Sequence, residues 1–363
     1  MDSRSARATL ARTPGLTAQA ADALIAAAGG ELAPAALARC AARIELPPAA
    51  RAWLKAPDER AVAADLEWLS ESGTVIILSS DPGYPPLLKE TAGAPAALYV
   101  QGSVALLATR QLAIVGSRSP TPAGRSTARE FAAWFARAGL TVTSGLATGI
   151  DAASHEGALK VAGATIAVFG TGLDSVYPPA NRALAERIRA HGALVSELPP
   201  GSAPLRENFP RRNRIIAGLA LGTLVVEAAR DSGSLITARH AVEAGREVFA
   251  IPGSIHSPLS RGCHQLLKAG AVLVEEAQDV MRELGLSFSK EQLTSAPAPD
   301  GDAGELDKDY EMLLDALGFA PATIDSLVAR TELPSESIAS MLLILELKGR
   351  VAALPGGRYG RIP

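Results

Sequence analysis

The chain has 363 residues, room for two or three domains, each with its own core. Its formal net charge is −3, so it is not uniformly basic, and any nucleic-acid surface has to concentrate its positive charge locally. Its two cysteines, Cys40 and Cys263, stand far apart, which excludes a disulfide framework and a cysteine zinc site and fits a reducing cytoplasm.

The elements follow in order. Residues 8–70 read as short Ala/Leu-rich helices punctuated by Pro14-Gly15, Gly29-Gly30, Pro47-Pro48 and Pro57. Thr74–Leu78 is strand-like, and the Pro/Gly-rich stretch Asp81–Pro86 is extended or turning. Apolar β runs then fall at 112–115, 141–143, 165–169, 194–195, 223–226, 247–251 and 272–274. Helix-length segments such as Ala123–Ala138 and Asn181–Ala190 separate most of them. Short apolar strands alternating with helices predict βαβ units and a parallel sheet covered on both faces. A polar Pro/Gly-rich linker occupies 286–304. Helical periodicity returns over Leu306–Leu317, Thr323–Ala329 and Ser335–Lys348, followed by a hairpin through Pro355-Gly356-Gly357, the pattern of a winged helix. No run approaches the roughly 18 apolar residues of a membrane span, and no secretory signal is evident.

Ligands of open parallel sheets bind beyond the carboxyl ends of the strands. Five of the apolar runs end in small residues: Gly116-Ser117-Arg118, Ser144-Gly145, Gly170-Thr171-Gly172, Ser232-Gly233-Ser234 and Pro252-Gly253-Ser254. Glycine lets backbone N–H groups approach a ligand, and hydroxyls donate to oxyanions, so these loops point to phosphate. Neither the dinucleotide G-x-G-x-x-G nor the P-loop pattern is present, which disfavours a simple NAD enzyme or P-loop ATPase. A second feature is Leu205-Arg206-Glu207-Asn208-Phe209-Pro210-Arg211-Arg212-Asn213-Arg214, with four arginines and one acid. Arginines are unfavourable in a first helical turn and fit an anionic partner. Phe209 is either a base-stacking platform or a hydrophobic staple on the following helix.

These motifs, with Ser144–Asp151, Phe209–Gly218, Ser232–Ala238, Tyr177-Pro178 and Asn181, and Ser196-Glu197, closely resemble the DprA/Smf family over residues 80–285. The resemblance implies an extended Rossmann-like domain over 71–285. It is flanked by a helical SAM or helix-hairpin-helix-like domain at 1–70 and a winged-helix domain at 305–363. It implies a non-enzymatic, cytoplasmic, homodimeric protein without cofactor or metal. Such a protein binds and protects incoming single-stranded DNA in natural transformation and helps load the RecA recombinase. The contacts it implies are Gly116, Ser117 and Arg118, which would hold phosphate, and Phe209, which would stack. With them go Ser144, Gly145, Gly172, Arg206, Arg211, Arg212, Asn213, Arg214, Ser232 and Ser234. Glu197 and Glu227 are alternative, structural partners for one of Arg212 and Arg214.

Other features have plainer readings. Asp151 and His155 read as a helix cap and a hydrogen-bonded histidine in preference to a catalytic pair. His240, His256 and His264 lack metal-ligand spacing. Arg12-Thr13-Pro14-Gly15-Leu16-Thr17 resembles half of a helix-hairpin-helix, with Thr17 where a second glycine is expected. The third helix of the terminal module carries Glu336 and Glu346, which favours protein contact over duplex reading and leaves Arg350, Arg358 and Arg361 of the wing as the DNA contacts. The competing function is a nucleotide-processing hydrolase, related to the lysine-decarboxylase-like family, with Glu227 as general acid or base. That family's Pro-Gly-Gly-x-Gly-Thr pattern is absent.

Overall fold

The computed structural model describes residues 3–287, 308–318 and 321–362. The linker read over 286–304 lies, from residue 288 onward, outside the described residues.

Five helices open the chain: α1 (Ser3–Arg12), α2 (Ala18–Ala27), α3 (Pro34–Cys40), α4 (Pro48–Lys55) and α5 (Glu59–Ser72). Proline starts α3 and α4, where a missing N–H costs nothing. Asp58 caps α5 by accepting from the amides of Arg60 and Ala61 at 3.0 and 3.1 Å, and Gly73, at φ +66, ends it. Leu10, Leu24, Leu37 and Leu54 bury themselves against Leu78, Ala96 and Ala97 of the sheet edge. The turn between α1 and α2 differs from a phosphate-cradling hairpin. Its Ala18 amide donates to Ala94 O at 2.7 Å, its Leu16 amide donates to Thr13 O, and Thr17 caps α2 through the Ala20 amide. Those amides are spent within the chain.

The nine-stranded sheet comprises β1 (Val75–Leu78), β2 (Ala97–Gly102), β3 (Gln111–Val115), β4 (Thr141–Ser144), β5 (Thr165–Val168), β6 (Ala193–Ser196), β7 (Gly222–Val225), β8 (Glu247–Ala250) and β9 (Val272–Leu273). Its order is β1-β2-β6-β5-β4-β3-β7-β8-β9; every pair from β6 to β9 is parallel, and β2 and β1 add on antiparallel. Strand β2 has no counterpart among the apolar runs read from the sequence. Its first five residues are buried like those of β3 to β7, but it follows the turn-rich stretch that masks its start.

The helices of this region are α6 (Pro86–Lys89), α7 (Pro122–Arg137), α8 (Ile150–Lys160), α9 (Arg182–His191), α10 (Asn208–Leu219), α11 (Ser234–Glu243), α12 (Arg261–Lys268) and α13 (Ala277–Glu283). One face of the sheet is covered by α6, α10, α11 and α12, and the other by α7, α8, α9 and α13. The chain winds outward from β3 through β4 and β5 to β6, then returns to the other side of β3 as β7. The switch point of this Rossmann-like sheet therefore lies between β3 and β7, where the Ser117 amide donates to Glu227 O at 2.6 Å.

The last module packs α14 (Lys308–Leu317), α15 (Ile324–Thr331) and α16 (Ser335–Leu347) around Leu313, Leu327, Ile338 and Leu342. Strands β10 (Ala322–Thr323), β11 (Val351–Leu354) and β12 (Arg358–Arg361) form an antiparallel sheet ordered β10-β12-β11, which completes a winged helix. Thr323 caps α15 and stands outside its first turn. The outer side of α16 exposes Leu343 and Leu347.

Among the described residues, no helix is long and apolar enough to cross a membrane. Helices α7 and α8 approach so closely that a Cβ on Gly157 would lie 2.8 Å from Arg129 Cα and nearer still to the Arg129 carbonyl oxygen. Gly157→Ala should therefore destabilise the protein by about 1–3 kcal/mol in urea unfolding, although alanine is the better helix former, because backbone cannot move aside as a side chain can.

Candidate nucleic-acid interface

Because β3, β4, β5, β7 and β8 are parallel neighbours, the five small-residue loops emerge along one rim. The Gly116-Ser117-Arg118 turn is held rigidly. Ser117 Oγ accepts from the Ser119 amide at 3.1 Å, the Ile150 amide donates to Ser117 O, and Thr148 Oγ1 donates to Arg118 O. Gly116 has no room for a Cβ, which would lie 2.7 Å from Ile150. Ser117 is buried at the base of the turn and Arg118 stands exposed.

Helix α10 presents its arginines on different faces. Arg212, Ile216 and Leu219 face inward. Despite its place among the expected contacts, Arg212 is buried: Nη1 donates to Gly145 O at 2.6 Å and to Val168 O, just past β4 and at the end of β5. Gly145 makes this possible, since a Cβ there would sit 2.6 Å from the guanidinium carbon. Ser144 is also internal, donating to Ile114 O at 2.6 Å. Gly172 packs under the loop before α10, where its Cβ would meet Pro199 O at 2.6 Å. These four residues build the rim from beneath. Phe209 lies one turn before Arg212 on the same side, with its ring against Gly170.

Arg211 and Arg214 share another face, and both reach Glu197 just after β6, Arg211 at 3.2 Å. Glu197 is almost fully buried and Arg211 is half exposed, so the trio keeps one positive charge at the surface. Helix α10 begins at Asn208, which puts Pro210 in the third helical position, still within the turn whose amides lack helical acceptors. Asn213 Nδ2 donates to Gly233 O at 3.2 Å and ties α10 to the loop after β7, where the Ser232 and Ser234 hydroxyls bond each other at 2.7 Å. Ser234 is buried and Ser232 half-buried. Arg118 and Arg206 are exposed, and among the described residues neither has a carboxylate partner.

The Arg118 guanidinium carbon lies 6.0 Å from the centroid of the Phe209 ring, within cation–π range. The Tyr177 ring lies 5.4 Å from Phe209, tilted by 44°. In the sequence, Tyr177 stands out only as part of a resemblance. The available signal is an aromatic beside proline in a rim loop of a chain with 4% aromatics.

Glu227 is committed elsewhere. Its carboxylate accepts from the Thr121 amide at 2.9 Å and the Thr121 hydroxyl at 2.7 Å, at the start of α7, and Gly124 leaves it space. Burial holds it above the ordinary carboxylate range, against those hydrogen bonds. Asp151 is not the cap of α8, whose cap residue is Gly149; its carboxylate accepts from the Ala147 amide at 3.3 Å. Burial also raises Asp151, with Arg212 opposing. Burial lowers Arg212 to about 10, with Asp151 opposing. Among the described residues, no group of three or more His, Cys, Asp or Glu is placed to hold a metal ion.

The fold defines a Rossmann-like protein whose strand ends carry small-residue loops and the exposed Arg118. The model of the family DNA recombination-mediator protein A matches residues 75–285, and that of the DprA winged helix domain matches 296–357. Protein Smf of Escherichia coli K12 is 43% identical over 302 residues, covering 82% of this chain and 80% of that protein. The DNA processing protein DprA of Streptococcus pneumoniae R6 is 48% identical over 203 residues, covering 56% of this chain and 72% of that one. The X-ray structure of the Streptococcus pneumoniae DprA superposes with a TM-score of 0.66 at 38% identity, covering 77% of this chain and 97% of that one. A Helicobacter pylori DprA structure, described by its single-stranded DNA binding mode, gives 0.55 at 27% identity, covering 61% and 99%. The chain belongs to the DprA/Smf family.

His155, fully buried, gives the core beneath the rim a pH signature. Thr165 Oγ1 donates to Val142 O, so His155 Nδ1 carries the proton in its 2.7 Å bond to Thr165, and among the described residues Nε2 has no partner. Burial, then the nearby Arg212 charge, lowers its pKa to about 3. Between about pH 6.5 and about 3 the unfolded chain takes up this proton and the folded chain does not, so this contribution to stability falls on acidification. Asp151, raised by burial, acts in the opposite sense. The difference between wild type and His155→Gln isolates the histidine. Urea unfolding across that window should show a wild-type slope steeper by up to about 1.4 kcal/mol per pH unit.

Arg212→Met should cost about 3–5 kcal/mol in the same assay, because it removes the bonds to the Gly145 and Val168 carbonyls and the larger of the cationic influences on the buried Asp151. Arg118→Ala should change stability by no more than about 0.5 kcal/mol.

Proposed function

We propose that this protein is a non-catalytic binder of single-stranded DNA, gripping the sugar-phosphate chain along the carboxyl rim of its parallel sheet. The observation that carries the reading is the exposed Arg118, its guanidinium over the Phe209 ring that Tyr177 adjoins, with Arg206 exposed three residues before Phe209; among the described residues neither arginine has a carboxylate partner, in a chain of net charge −3. Phosphates need unpaired cations, and exposed bases need ring faces. Arg118, Arg206 and Arg211 meet the backbone; Ser117, Asn213 and Ser232 border the path; Phe209 contributes to stacking. Arg212, Ser144, Gly145 and Gly172 support the rim from within.

Family membership and the DNA-directed names of its relatives support the same reading. The cellular role that follows is protection of incoming DNA in natural transformation and assistance in loading the RecA recombinase, by a homodimer in the cytoplasm. The domains are taken as 1–70, 71–285 and 305–363, joined by the linker 286–304. A hydrolase using Glu227 finds no support in the geometry, because both carboxylate oxygens are engaged by Thr121.

A titration with oligo-dT and with the matching duplex tests the proposal. The single strand should bind more tightly, with affinity falling with salt at about 0.7 logarithmic units per neutralised phosphate. Arg118→Ala should weaken binding and lower that slope by about 0.7, whereas Phe209→Ala should weaken binding at constant slope. Absence of single-strand preference, or nucleotide turnover abolished by Glu227→Gln, would defeat the reading.

A further inference from the structure

The two rings at the rim are not equivalent. Phe209 rests against Gly170, where a Cβ would lie 2.8 Å from its ring edge, and Arg118 stands over it at 6.0 Å. Its surface is half-buried before any strand arrives. Tyr177, 5.4 Å away, is 46% exposed, and among the described residues no other aromatic counts among the exposed large apolar side chains. In water, an exposed apolar ring of this size is retained at a cost that packing against one neighbour only partly offsets.

The loop that carries Tyr177 is anchored on both sides. Val176, next to it, packs into the cluster of Phe169, Leu173 and Leu184. Four residues on, Asn181 Nδ2 donates to Leu146 O at 2.8 Å, joining this loop to the one after β4. Upstream, Thr171 Oγ1 donates to Ser175 O at 2.6 Å, closing the turn. The ring is thus presented by a fixed backbone, which lowers the ordering cost of stacking a base on it. Among the described residues its hydroxyl meets no protein partner, so the polar end does not explain the position.

Resting on the single-stranded DNA reading above, we propose that Tyr177 is a second base-stacking platform of the rim, and the more open one. Phe209 backs it, and Arg118 links the stack to the phosphate chain. One base stacks on the outer face of Tyr177, sequence-independently, because every base offers a π-face.

Three variants separate stacking from simple cover for Phe209. Tyr177→Ala should weaken oligo-dT binding by between about fivefold and about a hundredfold, with the salt slope unchanged. Tyr177→Phe should bind like wild type. Tyr177→Leu, which keeps apolar cover over Phe209 but offers no ring, should bind like the alanine variant. Unchanged unfolding midpoints verify that each variant folds. Photocrosslinking with oligo-dT carrying 5-iododeoxyuridine should label the peptide containing Tyr177. Tyr177→Ala or Tyr177→Leu binding as tightly as wild type, while Arg118→Ala still impairs binding, would overturn the inference and leave the DNA reading standing. Labelling confined to peptides away from the rim would overturn it as well. Loss of single-strand preference by the wild type itself would remove the reading on which it rests.

Discussion

The buried guanidinium of Arg212 fixes the geometry on which the rim depends. It bonds carbonyls just past β4 and at the end of β5, and so clamps α10 onto the carboxyl edge of the sheet. Taking a charged group out of water is costly, and here carbonyls and the Asp151 charge offset that cost in part. What the clamp secures is orientation. With Arg212 inward, the helical phase sends Arg211 outward, brings Arg214 to Glu197 and leaves Phe209 against Gly170. The outward chemistry follows from one inward bond set.

The charges divide accordingly. Arg212 and Arg214 are absorbed by the fold, Arg211 is half absorbed, and among the described residues Arg118 and Arg206 have no carboxylate partner. A chain that is acidic overall therefore leaves Arg118 exposed in the turn after β3, at the switch point. Glu227, at the same switch point, has an internal role. It fastens Thr121 and the start of α7, which steadies the turn carrying Arg118. Two features that read alike in sequence, a strand-tip acid and a strand-tip arginine, thus belong to scaffold and surface respectively.

Much of this architecture is legible in the residues. The parallel strands are visible as apolar runs, and their Gly/Ser ends map the rim, because both signals are local. Strand β2 escapes notice because the turn-rich stretch before it masks its start. Nor does the sequence offer any means of telling Arg211 from Arg212. They are neighbours of one type, separated only by about 100° of helical rotation, and their fates depend on where Gly145 and Glu197 lie in three dimensions. The role of Gly145 is inverted for the same reason: a glycine that admits a ligand and one that admits a buried side chain look identical in one dimension. The closeness of Tyr177 to Phe209, 5.4 Å between ring centroids, is likewise a three-dimensional fact that no sequence spacing gives.

A single strand lying across the strand ends is the central claim. Hydrogen–deuterium exchange with and without saturating oligo-dT tests it most directly. Exchange should slow at the loops around 116–119, 170–177, 206–211 and 232–234. Protection confined to the winged helix or to the N-terminal helices, with the rim exchanging as in the free protein, would contradict it.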